Sequence, residues 1–166
     1  MGLVLGTRLG ATDSNLKRPV EAERFLHLRT ISMTPTQLTD FATRYAAAWS
    51  SQTPDSVASF YAGNGSLTVN DGEPSVGRAA ITATAKGFMT AFPDMVVKMD
   101  RVRQEGGHAV FHWTWTGTNV GPGGTGRSVR ISGYEEWTLG ADGLIVESEG
   151  HFDEAEYQRQ LKSPVP

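Results

Sequence analysis

The stretches AVFHWTWTGTN (residues 109–119) and VRISGYEEWTL (residues 129–139) decide the fold. Both are rich in Val, Ile, Thr, Trp and Phe, the residues that suit a pleated, half-buried surface. Both alternate. Phe111, Trp113 and Trp115 share one face of the first. Ile131, Gly133, Glu135, Trp137 and Leu139 share one face of the second. A period of two means strands. The loop between them, residues 120–126, is Gly- and Pro-rich. On either side the same period continues, from Met95 to about Gln104 and from Leu144 to Phe152. The turns there are Glu105-Gly106-Gly107-His108 and Ala141-Asp142-Gly143. Four hairpin-linked strands predict an antiparallel sheet.

Upstream the period is helical. Thr34-Pro35-Thr36-Gln37 is a capping box with Pro at the first helical position. Leu38, Phe41, Ala42, Tyr45, Ala48 and Trp49 then follow at helical spacing. A short second helix after Pro54 carries Val57, Ala58, Phe60 and Tyr61, and Asn64-Gly65 breaks it. Leu67–Asn70 reads as a short strand, and residues 77–92 as a third helix ended by Pro93. Asp153 caps a closing helix through Tyr157 and Leu161. Helices confined to one face of such a sheet predict an α+β layering. The sheet curls, leaving a cavity under the long helix.

The chain has 166 residues, which predicts one domain, with a net charge of −3 and no basic run. No nucleic-acid partner is expected, and no membrane association, because no apolar run approaches ~18 residues. There is no cysteine, which excludes disulfides and thiolate chemistry and suits a cytoplasmic location. Asn64-Gly65-Ser66 is a glycosylation sequon read here as a turn. The domain is expected over residues 33–162, with an N-terminal extension (1–32), partly helical from Val20 to Leu28, and a tail (163–166). Met33 is a candidate start of translation.

Several motif matches fail on context. Gly121–Gly126 fits GxGxxG, but strands on both sides make it a hairpin loop at the cavity mouth or a dimer edge, with no helix N-terminus for phosphate. His108, His112 and His151 lack zinc spacing, so no metal is expected. No GxSxG elbow is present.

The order Ala91-Phe92-Pro93-Asp94, Trp113-x-x-x-Gly117-Thr118, Thr125-Gly126-Arg127, Ser132-Gly133, Asp142-Gly143-Leu144-Ile145-Val146-Glu147, Phe152-Asp153 and Gln160-Leu161 resembles the SnoaL-like polyketide (ester) cyclases of the NTF2-like superfamily. The resemblance spans about residues 33–161. It implies a cone-shaped α+β fold with an internal pocket, a homodimer formed through the sheet, and no metal or organic cofactor. It also implies aldol ring closure by a carboxylate that abstracts a proton beside a carbonyl. Ketosteroid isomerases and limonene epoxide hydrolases share the superfamily and use pocket carboxylates.

Proton abstraction at carbon needs a base in apolar surroundings. Alternation puts Glu135 inside, between Ile131 and Trp137; the competing reading is an edge Glu paired with Arg130 or Arg103. By the resemblance, Glu135 falls where isomerases place an oxyanion-stabilising acid, and Asp71 where they carry their base. Asp71-Gly72 is also an ordinary turn pair. In the last strand Glu147, Glu149 and His151 face one way, and Val146, Ser148, Gly150 and Phe152 the other. Gly150 aligns with the aspartate of the prototype cyclases. A bulge there would swing Glu149 or His151 inward. Catalytic candidates are therefore Glu135, Asp71 and His151. Substrate-binding candidates are Trp113, Trp115, Trp137, Tyr45, Trp49, Phe111 and Phe152, around a hydrophobic small molecule. Two functions stay open: a cofactor-free cyclase or isomerase, and a non-catalytic, dimeric binding module. Epoxide opening lacks an identifiable water-positioning set.

Overall fold

The structure, a computed structural model, describes residues 33–162. The expectations for residues 1–32 and 163–166 lie outside the described residues. Helix α1 (Pro35–Trp49) starts at the capping box: Thr34 accepts from the Gln37 N–H, and the Gln37 side chain accepts from the Thr34 N–H. Helix α2 (Pro54–Ala58) follows, then strands β1 (Tyr61–Val69) and β2 (Ser75–Val76) and helix α3 (Arg78–Ala91). Strands β3 (Val96–Glu105), β4 (His108–Thr118), β5 (Ser128–Leu139) and β6 (Ile145–Phe152) form the meander, and helix α4 (Glu154–Lys162) closes the fold. Asp153 accepts from the Glu156 N–H at the start of α4.

The six strands make one curved open sheet in the order β2-β1-β6-β5-β4-β3. The meander is antiparallel as expected. Two features differ from the sequence reading. First, β1 runs parallel to β6, so the sheet is mixed. Second, Tyr61 begins β1 instead of ending a helix, and Asn64-Gly65 lies within that strand. The pairing with β6 explains both: the Phe60 carbonyl accepts from the Ile145 N–H, a partner 85 positions away that local periodicity does not reveal. The register slips between Tyr61 and Ser66, which accommodates the Asn-Gly pair as an irregularity.

Helix α1 lies across β3, α3 packs on α2 and β1, and α4 on β5. The core between helices and sheet is aromatic. Tyr45, Phe60, Phe41 and Trp137 meet edge-to-face, and Phe111 stacks on Trp137 at 4.8 Å. The Phe92-Pro93-Asp94 corner is tied to β4. Asp94 accepts from the Thr118 N–H and hydroxyl, both at 2.7 Å, and these bonds hold its carboxyl below the usual range. That part of the motif is therefore a structural clasp. No described helix is long and apolar enough to cross a membrane.

Candidate active site

Residues of one face of β5 and β6 meet α1 and β1 beneath the aromatic core. Glu135 projects from β5 into this layer and is 7% exposed. Its Oε2 accepts three hydrogen bonds: from Trp137 Nε1 (2.8 Å), Ser148 Oγ (2.8 Å) and the Tyr45 hydroxyl (3.1 Å). Tyr45 and Tyr61 hydroxyls lie 2.8 Å apart. Because Tyr45 gives its hydrogen to Glu135, Tyr61 is the donor of that pair. The chain Tyr61–Tyr45–Glu135 is thus a buried relay in which every hydrogen has a direction.

These donors favour the carboxylate, but they do not win. Burial is the largest influence and pushes the Glu135 carboxyl above its ordinary value, against the lowering by Trp137, Ser148 and Tyr45. Burial and the nearby Glu135 likewise push both tyrosine hydroxyls up, so they stay protonated donors. With Oε2 saturated, Oε1 is the carboxyl oxygen without a partner among the described residues. The proton of the neutral acid, or the basic lone pair of the anion, is therefore directed to Oε1.

Glu135 is also the polar member of a cavity lined by Trp49, Leu67, Phe88, Trp113, Trp115, Phe152 and neighbouring apolar residues. The cavity volume is about 70 Å³. A carboxyl in such apolar surroundings is the arrangement that proton transfer at carbon requires. Tyr45→Phe removes one donor to Oε2, and the Glu135 pKa is expected to rise further. Carboxyl NMR titration of the two proteins checks this, and an unchanged value would mean that the Tyr45 bond does not form.

Of the residues singled out in the sequence, Glu135, Trp49, Trp113, Trp115 and Phe152 line the cavity. Trp137, Tyr45 and Phe111 do not. They pack behind the carboxyl, and two of them donate to it. Asp71 is exposed and away from the lining. Asn70 turns left-handed (φ 48°) and the chain leaves the strand there, so Asp71 sits in the turn facing water. His151 also stays outside. The β5–β6 register runs unbroken from Gly133↔Phe152 to Thr138↔Glu147, with no bulge at Gly150 to rotate it inward. Its ring lies tilted against Tyr134 on the outer face, with Nε2 3.7 Å from Glu136. Glu136, Glu149 and His151 gather there, well separated from the cavity by the sheet.

Sequence reasoning missed Ser148 as a donor to the carboxyl and Tyr61 as the donor to Tyr45 behind it. Alternation had placed Ser148 on the inner face, and its position opposite Trp137 follows from the hairpin register. Tyr61 was hidden by its assignment to a helix. Gly150 lines the cavity directly opposite Glu135. Cross-strand neighbours lie about 5 Å apart at Cβ. The Glu135 carboxyl thus stands one strand over from Gly150, on the same face.

Solved structures share this architecture. A hypothetical protein of ketosteroid isomerase-like fold from Catenulispora acidiphila, in complex with trimethylamine, superposes with a TM-score of 0.67 at 16% identity, over 76% of this chain and 98% of that one. A candidate SnoaL-like polyketide cyclase from Jannaschia sp. CCS1 gives 0.67 at 19%, over 81% and 99%. TerC, co-crystallised with polyporic acid, gives 0.64 at 16%, over 78% and 100%. These identities establish a common fold. No curated protein matches the sequence significantly. The profile of the SnoaL-like domain matches residues 42–148, well over half of the chain and every strand through the first half of β6. By that match, and by a fold that seats a buried carboxyl in an apolar cavity, the chain belongs to the SnoaL-like domain family.

Proposed function

We propose that the protein is a cofactor-independent acid–base catalyst acting on a hydrophobic carbonyl compound of the polyketide kind, by aldol cyclisation or isomerisation. The observation that carries this reading is the Glu135 carboxyl. One oxygen is fixed by three donors, the other is free, and burial raises its pKa toward working pH. In the ionised form Oε1 takes a proton from the carbon beside a carbonyl, and the C–H electron pair moves onto the carbonyl oxygen as an enolate. The enolate carbon then attacks a second carbonyl of the same molecule, and the resulting alkoxide recovers the proton from Glu135. Alternatively the proton returns to another carbon, which isomerises the substrate. Family membership and the polyketide cyclase among the structural relatives support the general kind.

The test needs no knowledge of the natural substrate. Enolisable aromatic diketones incubated in D2O are expected to take up deuterium at the carbon beside the carbonyl faster with the protein than without it. Glu135→Gln is expected to slow that exchange by 10²-fold or more, the usual contribution of a positioned base. Equal exchange by both proteins would remove Glu135 from the chemistry.

A second reading, a non-catalytic binding module, is favoured by one observation: at Gly150 the position aligned with the prototype aspartate has no side chain, and Glu135 is the cavity's carboxyl. Ligand binding with no exchange in either protein would select it.

A further inference from the structure

The cavity beside Glu135 is too small to enclose a whole polyketide. Its volume is about 70 Å³, whereas pockets that enclose a drug-sized ligand run to about 300–1,000 Å³. An apolar cavity of about 150 Å³ is filled by one benzene molecule. By that scale the Glu135 cavity takes roughly three or four non-hydrogen atoms. Its walls are braced against widening. Trp49 meets Phe88 edge-to-face at 6.1 Å, Phe88 meets Trp115 at 5.7 Å, and Phe92 backs Trp115 at 4.8 Å. Moving one ring displaces the next, and close-packed interiors resist that. Val69, Phe88, Val97 and Phe152 of the lining are partly buried, so the cavity opens outward on their side. The room directly against the carboxyl is left by Gly150. A Cβ there would stand 3.5 Å from Glu135 Cγ, within the space an occupant needs.

We infer that the cavity admits one end of its substrate, a terminal acetyl group, and that Gly150 sets this limit. This rests on the reading that the Glu135 cavity is the functional site, and adds which part of a carbonyl compound it selects. A methyl, a carbonyl carbon and its oxygen fill the volume, and the adjoining methylene completes it. The rest of the molecule extends outward past Val69, Phe88, Val97 and Phe152. Both carbons beside the carbonyl, the terminal methyl and the methylene, then lie inside with Glu135, the polar residue of the lining. A branched or ring-embedded acyl end needs more room than the walls leave, so it is refused although its C–H is comparably acidic. Burial of apolar surface alone would favour the larger end. Size exclusion and hydrophobic attraction therefore predict opposite orders of affinity.

The probe pair is 1-phenylbutane-1,3-dione, which ends in a methyl group, and 4,4-dimethyl-1-phenylpentane-1,3-dione, which carries tert-butyl in its place. Their phenyl ends are identical. Carboxyl NMR of Glu135 in the full chain, assigned with Glu135→Gln, reads binding without turnover. The methyl compound is expected to bind at least tenfold more tightly than the tert-butyl compound, although it is the less apolar of the two. Gly150→Ala meets ordinary contacts, so the protein stays folded while the room at the carboxyl shrinks. It is expected to weaken binding of the methyl compound at least fivefold, and the comparison in the unaltered protein stands even if the variant fails to fold. Equal or reversed affinities, unchanged binding in Gly150→Ala, or no binding of the methyl compound up to its solubility limit would each overturn the proposal. Selective carboxyl shifts with no deuterium exchange would keep this inference and remove the catalytic one. Equal catalysed exchange of both compounds would do the reverse.

Discussion

Glu135→Gln is expected to be more stable than the parent protein at pH 8, with the advantage shrinking as the pH falls toward 4.5. Burial holds the Glu135 carboxyl above its ordinary value of 4.5. Between 4.5 and the raised value, the folded protein keeps a proton that the unfolded chain has already released. The folded state binds more protons there, so the free energy of unfolding falls as the pH rises through that window. Each pKa unit of the shift corresponds to ~1.4 kcal/mol. Above the raised pKa the full loss is present, and below 4.5 it is absent. Glutamine is neutral throughout and escapes it. Its carbonyl can take over the bonds from Trp137, Ser148 and Tyr45, and its NH2 replaces Oε1, which had no partner. Urea unfolding of both proteins between pH 4.5 and 8 gives the difference directly, because the other titrating groups are common to both. A difference that does not change with pH would mean an ordinary carboxyl and would leave the proposed base without its tuning. The same property fixes the sign of the activity profile: exchange that needs ionised Glu135 rises with pH through the raised pKa. A carboxyl that lowers folding stability at neutral pH while facing a cavity is where selection for chemistry is expected to outweigh selection for stability.

How far the sequence reached depends on the range of the interactions concerned. Periodicity is local, so the four meander strands and helices α1 and α3 were legible within a residue or two. The Thr34 capping box was readable for the same reason. Alternation also placed Glu135, Trp113 and Trp115 inside and Glu149 outside, because side chains in a regular strand cannot change face. What failed was non-local. The parallel pairing of β1 with β6 joins segments some 80 positions apart, and it turned Tyr61 from a helix residue into a donor of the site. Asp71 depended on whether β1 continued past Asn70. A left-handed backbone at that one residue ended the strand and left Asp71 in water. The roles within the aromatic set were likewise unreadable. Trp113 and Trp137 are on inward-facing positions of adjacent strands, yet one walls the cavity and the other holds the carboxyl from behind. That difference follows the neighbours of each ring: Trp137 lies against Phe41 and Tyr45 of α1, whereas Trp113 meets Phe152 of β6.

Two glycines on the cavity face are expected to respond oppositely to the same substitution. Gly133 sits between Trp113 and Phe152, its partners on either side. A Cβ there would lie 2.4 Å from the His151 carbonyl oxygen and 2.6 Å from the Trp113 ring. The carbonyl belongs to the β5–β6 ladder and cannot withdraw without breaking register, so the strain is not relieved by a rotamer change. Gly133→Ala is expected to cost about 3 kcal/mol, at the upper end of overpacking in a filled core. That corresponds to a fall in Tm of roughly 6–12 °C for a chain of this size. Trp113 is displaced with it, so the near-ultraviolet circular dichroism of the indoles changes. At Gly150 the added Cβ would meet Glu135 Cγ and the Thr68 carbonyl oxygen, each at 3.5 Å, which is ordinary contact. Gly150 is also absent from the positive-φ glycines. Gly150→Ala is therefore expected to leave Tm unchanged or to raise it slightly, by up to ~1 kcal/mol from the stiffer unfolded chain. Thermal melts of the two variants decide the matter. Similar losses at both positions would mean that the cavity face tolerates no added carbon and that Gly150 is empty for packing reasons. The expected contrast would mean that glycine is required at 133, to seat the Trp113 wall, and that the space opposite Glu135 is kept open for something other than the protein's own side chains.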